Sequence, residues 1–305
     1  MRTSMSIADF SWPDGPERIG SHVGRLARIA DQAGFHSLWV MDHFFQIGMN
    51  GPPEDPMLEG YTALAFVAGQ TERIRLGTLV TGAPYRHPGV LLKTVTSLDV
   101  LSGGRAWLGI GAAWNAVESA GLGIPFPPMA ERFERLEETL RIAHQMWAGD
   151  RSAFEGTHYH LGDPLNSPNA LQHPRPPILI GGMGEKKTLR FVAKYADACN
   201  LFDILHTPDG ETVLKHKLAV LRDHCAEQGR SYDEIEKTVT GSVSLSGEGK
   251  GGTESREQLL DRFGRLAALG FEHVILAPSG PWSEAMLEAL GEILPAIEAI
   301  VPAGR

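Results

Sequence analysis

From one end of this chain to the other, short apolar runs alternate with longer stretches in which apolar positions recur every three or four residues. The short runs read as buried strands and the longer ones as helices with one apolar face. Strands are expected at Ser4 to Ala8, Ser37 to Asp42, Arg75 to Thr81, Arg105 to Gly111, Ile178 to Gly181, Ala198 to Phe202, Thr238 to Leu245 and His273 to Ala277. Helical stripes run through Ile19, Val23, Leu26, Ala30 and Ala33, through Phe133, Leu136, Leu140, Ala143 and Trp147, and through Met286, Leu290, Ile293, Ile297 and Ile300. Gly34 is a natural C-terminal stop for the first stripe, and Ser255-x-x-Gln258 has the spacing of a capping box. Eight strand-helix units in 305 residues fit an α/β chain closed into a (β/α)8 barrel, the TIM barrel, better than an open doubly wound sheet. A single domain over 1–305 is expected. Two segments interrupt the rhythm as insertions: Gly149 to Pro177, and Ser246 to Glu254, which reads as a surface loop.

Composition narrows the classes. With 42% hydrophobic and 21% charged residues the chain has globular proportions, and a net charge of −9 argues against nucleic acid and anionic membrane surfaces as partners. No apolar run has membrane-spanning length and the N-terminus lacks the pattern of a secretory signal, so a cytoplasmic location is expected. Cys199 and Cys225 lack metal-ligand spacing and read as small core residues.

Candidate chemistry sits at the ends of strands, where barrels of this kind carry their reacting groups. Ile178 to Gly184, ILIGGMG, runs into the helix-like EKKTLRFVAKYA. Its glycines let backbone N–H groups approach an anion at a helix N-terminus, which points to a phosphorylated ligand; the alternative is a tight turn with no ligand. The second strand ends in Asp42-His43, an acid beside an imidazole that titrates near neutrality, which makes His43 the general acid or base candidate. After the third strand, small residues leave room for a planar ligand, and Arg86-His87 could meet an anion. The LGIGAAWNAVE segment fails as a dinucleotide fingerprint, because Trp114 occupies the third-glycine position. It reads instead as a strand end opening into a pocket walled by Trp114 and closed by Asn115 and Glu118, with Trp114 as a plain core aromatic the alternative. His158-x-His160 finds no completing ligands, so no metal is expected. A phosphate cradle, small and aromatic pocket residues and one acid/base group make the inventory of a cofactor enzyme.

The segments WVMDHF, EGYT, LGTLVTG, RHPGVLLKTVTSLDVLSGGR, LGIGAAWN, GLGIPFPP with ERFERLEETL, and ILIGGMG together resemble the bacterial luciferase-like flavin and deazaflavin oxidoreductases over nearly the whole chain, and within them the actinobacterial branch that uses coenzyme F420. The resemblance implies a (β/α)8 barrel, usually dimeric. It implies that Gly181, Gly182, Met183 and Gly184 bind the cofactor phosphate, that Asp42, Leu79, Val80, Ala112 and Asn115 lie along the ring system and ribityl chain, and that His43 faces the substrate. Members often carry a non-proline cis peptide at the third strand end, which matches Leu79-Val80. Lys186, Lys187 and Arg190 suit the polyanionic tail. The implied reaction is hydride transfer at the deazaflavin, with His43 exchanging a proton and Trp114 shaping the pocket. The runner-up is an FMN-dependent monooxygenase supplied with reduced flavin by a partner reductase, and a non-catalytic cofactor-binding protein stands as the reading of another class. Where sugar-phosphate and alcohol dehydrogenases of the family have a Glu after the fourth-strand glycines, this chain has Ala113-Trp114, a departure that bears on substrate. Apolar, Pro-rich loops at Gln46 to Glu59 and Ala112 to Pro128 suggest a sizeable uncharged or weakly polar small molecule.

Overall fold

A computed structural model describes residues 1–245 and 254–304. The surface loop expected at Ser246 to Glu254 therefore lies, apart from Glu254, outside the described residues. The strands are β1 (Arg2–Ile7), β2 (Ser37–Val40), β3 (Arg75–Thr78), β4 (Thr81–Gly82), β5 (Ala106–Gly111), the short pair β6 (Phe154–Glu155) and β7 (His160–Leu161), then β8 (Ile178–Gly181), β9 (Ala198–Phe202), β10 (Glu236–Val243) and β11 (His273–Pro278). The helices are α1 (Ile19–Ala33), α2 (Gly60–Ala68), α3 (Pro88–Leu101), α4 (Ala116–Leu122), α5 (Met129–Trp147), α6 (Thr188–Tyr195), α7 (Gly210–Glu227), α8 (Arg256–Leu269) and α9 (Glu284–Glu298).

Parallel pairing runs β3, β2, β1, β11, β10, β9, β8, β5, and a β3–β5 pairing closes the ring. The expected eight-unit barrel is what forms, with β4 completing the third stave beyond β3. The third strand, expected to run unbroken from Arg75 to Thr81, is instead interrupted at Leu79-Val80, where the peptide bond is cis. Gly34 ends α1 at φ 93°, and both hydrogen bonds of the Ser255–Gln258 capping box are made. The insertion from Gly149 to Pro177 carries the antiparallel β6–β7 hairpin, in which His158 bonds Glu134 and His160 bonds Glu155. Both cysteines are buried.

Period-two alternation decides what fills the barrel. Trp39, Trp107, Leu179, Ala198 and Ile275 form a separate buried cluster inside the ring, distinct from the main core between the strands and the helices. The two indoles meet edge to face, with centroids 5.8 Å apart. Their bulk requires glycine opposite at Gly77, where a Cβ would fall 2.5 Å from the Trp39 ring, while Gly109 is needed for the approach of backbone, since its Cβ would come 1.8 Å from the Thr78 carbonyl oxygen. Below this plug the interior is polar. Ser4 Oγ lies 2.6 Å from His273 Nε2, and His273 Nδ1 lies 2.9 Å from Glu236. Above it, at the C-terminal end of the strands, glycines at Gly111 and Gly181 leave the interior shallow.

Candidate functional site

The strand ends bring the expected site residues to one mouth. Asp42 and His43 follow β2, Leu79-Val80 separates β3 from β4, Ala112 and Asn115 follow β5, and Gly181 to Gly184 close β8. Val80 is the contact that joins three of these staves, because a Cβ on either Gly111 or Gly181 would lie 3.0 Å from one of its methyl groups. A side chain at either glycine would collide with Val80, so the two positions form a ledge of bare backbone.

Beyond that ledge Gly182 takes φ +124°, and a Cβ on Gly184 would come within 2.9 Å of Thr188 Oγ1. The helix after the cradle begins at Thr188 and not at the Glu185 where EKKTLRFVAKYA starts, because residues 182–187 are used in the turn. Lys187 stands at its N-cap without a side-chain cap bond, and in the first turn the Leu189 N–H donates to the Gly184 carbonyl at 3.0 Å, tying the helix start back to the cradle beside Lys186 and Arg190.

On the opposite side of the mouth His43 is half-buried against Trp114, ring centroids 5.4 Å apart. Trp114 is 60% exposed, so its plain-core alternative does not hold. The carboxylate that orients His43 is not its neighbour Asp42 but Glu118, delivered by α4, whose start is capped by the Asn115 side chain accepting from the Val117 N–H at 3.1 Å. Glu118 is 0% exposed and accepts from four donors: Nδ1 of His43 at 2.6 Å, the Tyr85 hydroxyl at 2.6 Å, and the backbone N–H groups of Phe44 at 2.7 Å and Phe45 at 3.3 Å. Burial alone would raise its pKa, but the bonds from His43, Tyr85 and Phe44 outweigh burial and hold it below the usual carboxylate range. Burial and the adjoining Glu118 push the Tyr85 phenol the other way, far up. An ionised acceptor with donors on all sides fixes the His43 tautomer: Nδ1 carries hydrogen and Nε2 is left for chemistry.

Asp42 points elsewhere. Both of its oxygens accept from Arg86, at 2.6 and 2.8 Å, and Arg86 also bonds Glu59. Burial pushes the Asp42 carboxyl up while Arg86 opposes it; the two carboxylates in turn overcome burial and hold Arg86 above its ordinary value. Arg86, expected as a possible anion contact, is thus committed inside the protein. Gly60 closes over this pair, 3.2 Å from Asp42 Oδ1 to where its Cβ would be.

Ala113 takes a left-handed φ of 59°, unusual for a residue with a side chain, and Arg132 holds it there by bonding the carbonyls of Ala112 and Ala113. Arg132, Tyr85, Arg86 as a structural partner and Glu118 as the orienting acid were not assigned these roles by sequence reasoning. Only Glu118, one turn into a helix after a strand-end Asn, carried a local signal.

With the geometry in place, comparison with known proteins adds three findings. The profile described as luciferase-like monooxygenase matches residues 1–290. An F420-dependent glucose-6-phosphate dehydrogenase from Microbacterium testaceum is 31% identical over 244 residues, covering 77% of this chain and 68% of that protein. The chain thus spans about two thirds of the length of such curated relatives. Among solved structures, a monooxygenase from Streptomyces bottropensis superposes with a TM-score of 0.81 at 21% identity, over 98% of this chain and 100% of that one. A coenzyme F420 dependent tetrahydromethanopterin reductase from Methanopyrus kandleri gives 0.77 at 19% identity, over 97% and 99%. At these identities the two structures speak for the fold alone.

Proposed function

This chain belongs to the luciferase-like monooxygenase family, and from that premise we propose that it is a coenzyme F420-dependent oxidoreductase acting on a small organic substrate. The observation that carries the reading is the convergence, at one end of the barrel, of a glycine ledge backed by Val80 and an imidazole whose Nδ1 is held by a buried carboxylate.

The residues present fit a flat, phosphate-bearing group. A ring would rest on the backbone of Gly111 and Gly181, where a Cβ would already meet Val80, and a phosphate would be held at Gly181 to Gly184. Leu79, Val80, Ala112, Asn115 and Met183 border the same ledge, and the cationic Lys186, Lys187 and Arg190 suit an anionic tail. A bound deazaflavin supplies a two-electron hydride donor or acceptor. The protein supplies the rest. Glu118 and Tyr85 hold the His43 ring, Nε2 of His43 gives or takes the substrate proton, and Trp114 limits how the substrate approaches that nitrogen.

A fluorescence titration of coenzyme F420 and FMN side by side tests this reading. Tight, salt-sensitive binding of the deazaflavin is expected, and preference for FMN with substrate-dependent oxygen uptake would replace it with the monooxygenase reading. The proposal extends to a cytoplasmic homodimer. The packed pair α2 and α3 exposes Phe66, Val90 and Leu101, the kind of apolar face that a second copy covers. Light scattering that returns a 33.1 kDa particle would remove the dimer.

A further inference from the structure

The chain leaves β5 at Gly111 and is caught again at Asn115, whose side chain caps α4, and at Glu118, which four donors surround. Ala112, Ala113 and Trp114 span the gap between those anchors. Among the described residues Ala113 is the one non-glycine with a positive φ, 59°. A residue with a Cβ occupies that left-handed state about 5- to 30-fold less readily than the right-handed one. What keeps Ala113 there comes from α5. Nη1 of Arg132 donates to the Ala112 carbonyl at 3.3 Å and to the Ala113 carbonyl. The guanidinium lies over the Phe126 ring, 4.2 Å from its centroid, and the residue is 6% exposed. Its Nε is buried without a hydrogen-bond partner among the described residues. An unmatched buried donor is a cost, so the guanidinium is placed for the two carbonyls. Next along the chain, Trp114 is 60% exposed, and its indole nevertheless stands 5.4 Å from the His43 ring, centroid to centroid. The backbone at Ala113 sets the direction in which that indole leaves the chain.

We propose that Arg132 is a positioning residue: by holding Ala113 left-handed it aims Trp114 at His43, and so sets how openly Nε2 of that imidazole can be approached. The inference rests on the role given to His43 above. Two neighbouring side chains of the site then answer to different supports. His43 is held through Glu118, which is anchored by Tyr85 and by the backbone that follows β2. Trp114 is held through Ala113, which is anchored from α5. Loss of the Arg132 guanidinium should therefore free the indole and leave the His43 ring in its tautomer.

The test uses two readouts on the whole chain. Labelling with 5-fluorotryptophan gives each of the six tryptophans a 19F line, and Trp114→Phe identifies the one at the mouth. Diethyl pyrocarbonate acylates an unprotonated imidazole nitrogen, and mass spectrometry of the His43 peptide reads the approach to that ring. In Arg132→Met the Trp114 line is expected to move, with no more than about a sixth of its intensity left at the wild-type position. The Trp39 and Trp107 lines should stay in place, and acylation of His43 should quicken several-fold. Adding Ala113→Gly, which takes left-handed backbone as readily as right-handed, should return roughly half of that intensity and slow acylation again. The 15N shifts of the His43 ring should report the same tautomer throughout. A Trp114 line and an acylation rate that Arg132→Met leaves unchanged overturn the proposal. So does a double variant that restores neither, or a His43 tautomer lost together with the Trp114 line. If Arg132→Met does not fold, Ala113→Val decides: it keeps Arg132 but puts a β-branched residue in left-handed backbone, and an unmoved Trp114 line there overturns the proposal equally. Neither readout needs the cofactor, so failure of the wild type to bind deazaflavin would remove the cofactor reading by itself.

Discussion

Replacing Glu118 with Gln should silence the site while leaving the protein folded, and hydrogen-bond polarity explains why. The backbone N–H groups of Phe44 and Phe45 can only donate, so they claim the carboxamide oxygen, as they now claim Oε2. The carboxamide NH2 must then occupy the position of Oε1, facing Tyr85 and His43. Tyr85 can turn its hydroxyl to accept, and His43 can accept at Nδ1 only by moving its hydrogen to Nε2. Every polar group regains a partner, so the melting temperature should stay within a few degrees of the wild type. The imidazole, however, is locked in the tautomer that cannot take a proton at Nε2. Acid–base catalysis by a positioned side chain contributes about 100- to 10,000-fold, so kcat/KM should fall by that factor, about 2.7–5.4 kcal/mol in the barrier. Steady-state deazaflavin reduction reads the rate, and 15N shifts of the His43 ring read the tautomer. A variant within threefold of wild-type kcat/KM would refute the reasoning, as would a His43 ring still protonated at Nδ1.

Three further outcomes are expected. Arg86→Met strands the buried Asp42 carboxylate and should cost about 3–5 kcal/mol in urea unfolding, largely restored by adding Asp42→Asn. Because burial raises the Asp42 pKa, that cost should be absent below the ordinary aspartate range and grow as pH rises through it; a pH-independent loss would count against the assignment. At the barrel bottom, burial opposes ionisation of Glu236, but His273 and Arg2 lower its pKa from 4.5 to about 2. The stability it supplies, about 3 kcal/mol, is therefore fully present above pH 4.5 and lost as pH falls toward 2, and Glu236→Gln should flatten that limb of an acid-unfolding curve. Gly182→Val places a side chain at φ +124° and should cost about 1–3 kcal/mol in stability while removing cofactor phosphate affinity; unchanged affinity in a titration well below the melting temperature would sink the cradle assignment.

The barrel was legible because its signals are local and repeated: alternation in each strand, a glycine at φ 93° after α1, and a capping box at Ser255 whose residues lie three apart. The site was legible as a set of strand ends but not as a wiring diagram. Asp42 and His43 are neighbours in sequence just past the end of β2, yet their side chains part: one finds Arg86 and the other finds Glu118, 75 positions on. No periodicity announces a partnership across that distance. The break of the third strand at Leu79-Val80 was likewise invisible to pattern, which reads Arg75 to Thr81 as one strand; the cis bond there was expected from the family resemblance alone. The helix after the cradle started late for a related reason: lysines and a glutamate at 185–187 are good helix formers, but the turn from Gly181 needed them first.

The packed indoles inside the barrel make it a cup with a floor and not a tube. Trp39, Trp107 and their neighbours separate the His273–Glu236 pair at one end from the His43–Glu118 pair at the other, so the two acid–base couples share no water column. A proton exchanged at His43 would therefore come and go through the open rim. On the proposed role of His43, a ligand seated over the imidazole would cover that route, and the proton exchanged in a turnover would stay with the chain until the product departs.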